Sequence, residues 1–127
     1  MKLNKKSMKT KKELKDEYKQ KKFKIGVFQI RNTVNNKIFI ESSTDLIAIW
    51  NRQKFQLNMG SHHNSELQKD WIEFGGDKFK YEILEEIEQK ENTSINYIKE
   101  AKELEKMYIE ELNPFDSRGY NKNAKRQ

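Results

Sequence analysis

The stretch from Phe23 to Ser42 constrains the fold more than any other part of the chain. Apolar residues alternate through Phe23 to Arg31, pause at Asn32-Thr33-Val34-Asn35-Asn36, and resume in Lys37 to Ser42. A period of two is the mark of a strand with one buried face. Paired asparagines tolerate the positive φ of a tight reversal, so the segment is predicted as a β-hairpin. Beyond it, Ser43, Thr44 or Asp45 is placed to cap a helix in which Leu46, Ile49, Trp50 and Leu57 recur at helical spacing before Gly60. A second helix is predicted from Asn64 or Ser65, carrying Leu67, Trp71, Ile72 and Phe74 and ending at Gly75-Gly76. Phe79, Tyr81 and Ile83 alternate as a third strand.

The last element is predicted to run from about Thr93 to Leu112, stopped by Asn113-Pro114. Steps of 100° place Ile98, Ala101, Leu104, Tyr108, Ile109 and Leu112 on one face, with Glu105 near its middle. A carboxylate inside an apolar stripe is costly unless it is paired, hydrogen-bonded, protonated or bound to a metal. The alternative is that Glu105 sits at the edge of the stripe. Adjacent His62 and His63 lack a helical i, i+4 partner and read as exposed turn or cap residues, a weak metal signal.

Composition limits what this pattern can become. The 127 residues suit one domain, and 34% hydrophobic against 36% charged residues allow only a small core. No run approaches the roughly 18 apolar residues of a membrane span, so a cytoplasmic protein with no membrane partner is expected. The absence of cysteine excludes disulfides, thiolate metal sites and a cysteine nucleophile. The net charge of +6 is unevenly spread. Met1 to Lys24 holds eleven lysines against three acids, +8; Arg118 to Gln127 carries +4; the middle carries −6. The division is therefore a basic N-terminal arm or helix at 1–22, a domain at 23–121, and a basic tail at 122–127. Basic ends attract nucleic acid through salt-sensitive phosphate contacts.

The order hairpin, helix, helix, strand, helix resembles the GIY-YIG nuclease superfamily, particularly the catalytic domain of phage intron homing endonucleases. The resemblance rests on Gly26-Val27-Phe28-Gln29-Ile30-Arg31-Asn32-Thr33-Val34-Asn35-Asn36-Lys37 and Phe39-Ile40-Glu41-Ser42, then Trp50-Asn51-Arg52, His62-His63-Asn64, the helix around Glu105, and Gly119-Tyr120-Asn121. It implies an α+β fold with a small mixed, largely antiparallel three-stranded sheet flanked by helices. It also implies phosphodiester hydrolysis with a divalent metal, Mg or Mn, on a glutamate, a tyrosine that helps activate water, and an arginine that steadies the phosphate. Glu105 and Asn121 keep the family chemistry. The two motif tyrosines are Phe28 and Phe39, the glycine closing the second motif is Glu41, the arginine is Ile49, and a common histidine is Gln53. Phe28, Phe39 and Ile49 read as core rather than as nucleic-acid contacts. Arg52 lies three residues beyond Ile49 as a substitute phosphate contact, and Tyr81 or Tyr108 as a substitute hydroxyl.

The expected function is a degenerate nuclease-like protein that binds DNA without efficient cleavage and requires no cofactor. Its expected contacts are Lys9, Lys11, Lys12, Lys15, Lys19, Lys21, Lys22, Arg52, Arg118, Asn121, Lys125 and Arg126. One alternative is a phage or mobile-element inhibitor, decoy or regulator that binds a protein through the acidic middle or an exposed aromatic surface. The other is an active metal-dependent endonuclease using Glu105.

Overall fold

A computed structural model describes residues 23–91 and 94–123. Strand β1 (Gly26–Asn32) pairs antiparallel with β2 (Ile38–Ser43), with Phe28 opposite Glu41 and Ile30 opposite Phe39. The reversal uses the asparagines as expected: Asn36 has φ 64°, Asn32 Oδ1 accepts from the Val34 amide at 2.9 Å, and Asn35 Oδ1 accepts from the Lys37 amide at 2.9 Å. Strand β3 (Phe79–Glu86) pairs antiparallel with the other side of β1, giving the order β2-β1-β3. The register shifts between Val27 and Phe28, a bulge that brings Gly26 against β3. A Cβ at Gly26 would lie 2.0 Å from the Glu85 carbonyl oxygen, so only glycine fits there.

Between β2 and β3 stand α1 (Ala48–Asn58) and α2 (Ser65–Phe74), followed by a short 3₁₀ turn at Gly76–Lys78. Asp45 Oδ1 accepts from the Ala48 amide at 3.0 Å, and Asn64 Oδ1 caps α2 through the Leu67 amide at 2.9 Å. These helices close one face of the sheet. Phe28, Ile30, Phe39 and Phe79 from the strands meet Leu46, Leu57, Leu67 and Trp71 there in a single buried cluster. Strand alternation sends Val27 and Ile40 to the opposite face, crossed by α3 (Tyr97–Leu112), where Ala101 is buried.

Helix α3 begins at Tyr97 rather than near Thr93, because Asn96 supplies the cap, accepting from the Lys99 amide at 3.1 Å. Thr93 itself lies outside the described residues. Of the expected apolar face, Ala101 is buried and Leu104, Tyr108, Ile109 and Leu112 are half-buried, whereas Ile98 is 62% exposed in the first turn. Asn113 ends the helix in the left-handed conformation, with φ 48°.

The ladders are antiparallel throughout, and the mixed character is one parallel bridge, Ile38 to Gly119. It lays the segment after a second 3₁₀ turn (Asp116–Arg118) along the outer edge of β2. The Tyr120 amide donates to the Ile38 carbonyl at 2.9 Å, while Asn121 Oδ1 accepts from the Ile40 amide and Asn121 Nδ2 donates to the Ile40 carbonyl, both at 2.8 Å. An edge strand is thereby closed to outside pairing. Replacing Asn121 with Ala leaves two buried backbone groups unpaired, and the expected loss is about 1–3 kcal/mol, read as a lowered urea midpoint with an unchanged slope.

Candidate functional site

The residues that depart from the expected nuclease motifs converge at the far end of β2. Glu41 and Phe39 share the face covered by α1 and α2, while Ser42 turns toward α3. From α1, Gln53 is buried and donates through Nε2 to Glu41 Oε1 at 3.2 Å. Gln53 Oε1 accepts from His62 Nε2, and His62 Nδ1 accepts from the Asn64 amide at 3.0 Å. These partners assign the proton of a neutral His62 to Nε2. His63 stacks on His62 with ring centroids 4.4 Å apart and places Nε2 3.2 Å from Glu41 Oε2. A continuous polar chain thus runs from the α1–α2 loop through α1 to β2.

His62 corrects the expectation of an exposed turn residue, since it is buried while His63 is exposed. The reason is local: its amide donates to Gln68 Oε1 at 3.0 Å, and its ring packs edge-on against Phe39. No spacing rule shows this, because the partners come from three separate elements. Burial, reinforced by the neighbouring His63, pushes the His62 pKa down to about 4. Burial pushes the Glu41 carboxyl up; His63 opposes that shift and Glu105 adds to it.

Glu105 reaches the same corner from α3. Its Oε1 accepts from the Ser42 amide at 2.6 Å and lies 3.8 Å from Lys102 Nζ, with the side chain 20% exposed. Glu105 therefore belongs on the face, satisfied by a hydrogen bond. Lys102 and exposed Arg52 stand on opposite helices across an open groove of 240 Å³, lined also by Ser42, Ser43 and Thr44. Lys102 was missed by motif comparison; its position three residues before Glu105 is the signal that reveals it.

The substitute hydroxyls are committed elsewhere. Tyr81 donates to the Leu46 carbonyl while stacked on Trp50, and burial pushes its pKa up to about 12. Tyr108 donates to Glu85 Oε1 at 2.6 Å, on the β3 side of α3. Phe28 and Phe39 are core, and Ile49 is half-buried against it. Asn121, expected at nucleic acid, spends its amide on Ile40. Arg118 donates to the Leu112 carbonyl at 3.4 Å beside the start of β2, at the end away from Arg52. The lysines of segment 1–22, with Lys125 and Arg126, lie outside the described residues.

Comparison with known proteins agrees with this layout. No family model matches the chain. The structure superposes on the catalytic domain of intron endonuclease I-TevI, in a mutant form, with TM-score 0.65 and 33% identity, covering 78% of this chain and 93% of that one. The chain belongs to the GIY-YIG nuclease superfamily. A second structure of the same catalytic domain gives TM-score 0.64 at 33% identity, covering 78% of this chain and 98% of that one. Over 98 residues the chain is 36% identical to Intron-associated endonuclease 1 of Enterobacteria phage T4, aligning 77% of this chain with 36% of that protein. It thus spans about a third of that relative's length.

The resemblance to GIY-YIG nucleases sets the expectation of a divalent metal on Glu105, which the residues there can be tested against. Magnesium typically takes one or two carboxylates and completes its shell with water and phosphate oxygens. With Oε1 engaged by Ser42, Glu105 fits that role through Oε2, and the ammonium of Lys102 opposes a cation beside it. When bound, such an ion supplies Lewis-acid polarisation of the phosphodiester. Among the described residues, no three histidine, aspartate or glutamate side chains converge as a metal cluster.

The lowered pKa of His62 has a definite sign. Between its ordinary 6.5 and about 4 the unfolded chain binds the proton that the fold excludes, so this contribution to stability is lost as pH falls through that window. Raised Glu41 acts in the opposite sense, which makes a paired comparison necessary. Asn at position 62 keeps an acceptor for the Asn64 amide but does not titrate. From pH 7 to pH 4.5, His62→Asn is expected to lose about 2 kcal/mol less than the unaltered chain in urea unfolding.

Proposed function

We propose that this GIY-YIG domain binds DNA through the groove between Arg52 and Lys102, aided by its basic ends, and has lost efficient cleavage. The observation that carries this reading is the pairing of that cationic groove with sealed motif positions: Phe28 is 0% and Phe39 4% exposed, and neither has a hydroxyl. An arginine and a lysine facing each other across serine and threonine hydroxyls suit phosphate oxygens. Cleavage needs more than binding, because catalysis depends on groups aimed at charge that develops in the transition state. Without the phenols and the clamp arginine, Glu105 and a metal supply only part of that constellation. The carboxylate of Glu41, near enough to Glu105 for that acid to push its carboxyl up, repels an approaching phosphate.

The test measures binding and cleavage of fluorescent duplex, branched and single-stranded DNA, with Mg²⁺ or Mn²⁺ and without metal, across a salt series. Affinity is expected to fall steeply with salt, and Arg52→Ala with Lys102→Ala to weaken all DNAs alike and lower the log-log salt slope by about 2. Metal-dependent cleavage abolished by Glu105→Ala would replace this reading with an active endonuclease.

A protein-binding role, as inhibitor or regulator, is favoured by one observation. The cleft aromatics are buried, but Phe55 on α1 and Ile47 and Met59 at its two caps are 65%, 67% and 66% exposed. Single exposed apolar residues are ordinary, whereas three large ones on and beside one short helix offer apolar area to a partner.

A further inference from the structure

The division of charge along the sequence has a counterpart in the fold. Between the end of β3 and helix α3 lies an open groove of 480 Å³. Its floor is apolar, formed by Ile87, Leu104 and Met107, and its rim is Glu85, Glu88, Glu100 and Glu103, all exposed. The groove is separate from the Arg52–Lys102 site and repels DNA. It suits a segment that alternates lysines with a few apolar side chains.

The chain delivers such a segment to the groove mouth. Residues 23–25 run beside the end of β3: the Ile87 amide donates to the Ile25 carbonyl at 2.7 Å, and Gln89 Nε2 donates to the Phe23 carbonyl at 2.6 Å. Lys24 Nζ lies 3.9 Å from Glu86 Oε1, beginning the charge pairing before the groove is entered. Upstream stand ten more lysines within residues 1–22, with Met8, Leu14 and Tyr18 among them. Six extended residues reach about 20 Å from Phe23. A tethered partner also acts at an effective concentration in the millimolar range for a short linker, which a free cationic protein must match in solution.

We propose that the groove between β3 and α3 is the docking site of the chain's own lysine-rich N-terminal segment, residues 1–22. Glutamates on the rim pair with its lysines, and Ile87, Leu104 and Met107 receive its apolar side chains. The site needs no DNA, and DNA competes with it for the lysines of residues 1–22.

Carbodiimide cross-linking of the full chain, which joins carboxylates to amines in direct contact, tests this. The expected result is cross-links from Glu88, Glu100 and Glu103 to lysines of residues 5–22 within one molecule, unchanged on tenfold dilution and lost at high salt. In parallel, Glu100→Lys with Glu103→Lys, both exposed on α3, is expected to raise the rate of tryptic cutting within residues 1–22 severalfold. Changing Lys15 and Lys19 to Glu in that variant is expected to restore protection at Lys11, Lys12, Lys21 and Lys22, sites that both variants keep. The proposal is overturned by cross-links spread evenly over the acidic surface, by links that form only between isotopically distinct copies, or by tryptic rates that ignore the charge reversal.

Discussion

Everything in this domain leans on a central strand that is paired along both edges and packed by the core on one face. Val27, Phe28, Ile30 and Asn32 of β1 are all fully buried. Phe28, Ile30 and Asn32 share the fully closed face toward α1 and α2, while Gln29 and Arg31 alternate with them, half-buried on the other face and bonded to Glu82. One buried polar residue, Asn32, is accommodated through a bond from its Nδ2 to the Tyr120 hydroxyl, which in turn donates to Asp70. The closing Gly-Tyr-Asn segment is thereby bound to the first strand through a side chain and to the second through the backbone. No described buried side-chain nitrogen or oxygen lacks a partner.

The altered motif positions form a coherent arrangement of their own. Glu41 brings a carboxylate to a place where the family resemblance implies glycine, and three neutral or weakly basic groups arrange themselves around it. Gln53 serves both sides, donating to Glu41 and accepting from His62. The Gln53 amide supplies the donor on one atom and the acceptor on the other, so both neighbours are satisfied by one uncharged side chain. The replacements at 41 and 53 are thus coupled through hydrogen bonding, which explains why the cleft can hold a half-buried acid without an adjacent arginine.

Most of the fold was legible because its signals are local. The hairpin asparagines, the cap of α2, the glycines after α2 and the Asn-Pro stop each act within a few residues. The start of α3 was misplaced because several polar residues before it can cap, and only the backbone shows that Asn96 does. Glu105 was recognised from its position on the stripe, but its partner, the Ser42 amide, is 63 residues away and leaves no mark on periodicity. His62 and Asn121 were misassigned for the same reason. Both have the chemistry of site residues, and only tertiary contacts reveal that the fold consumes them.

The strap along β2 ties the end of the domain to its beginning. Asn121 and Ile40 are separated by 81 positions, so the outer edge of the sheet gains its last backbone bonds only after nearly the whole domain exists. On a ribosome synthesising from the N-terminus, the hairpin and the first two helices emerge well before residues 119–121. During that interval β2 carries an open edge and Tyr120 is missing from the core cluster it completes. Long-range closure of this kind slows folding relative to local helix pairing. The nascent domain is therefore most exposed to strand-mediated association in the time between the synthesis of its second strand and that of its final three core-closing residues.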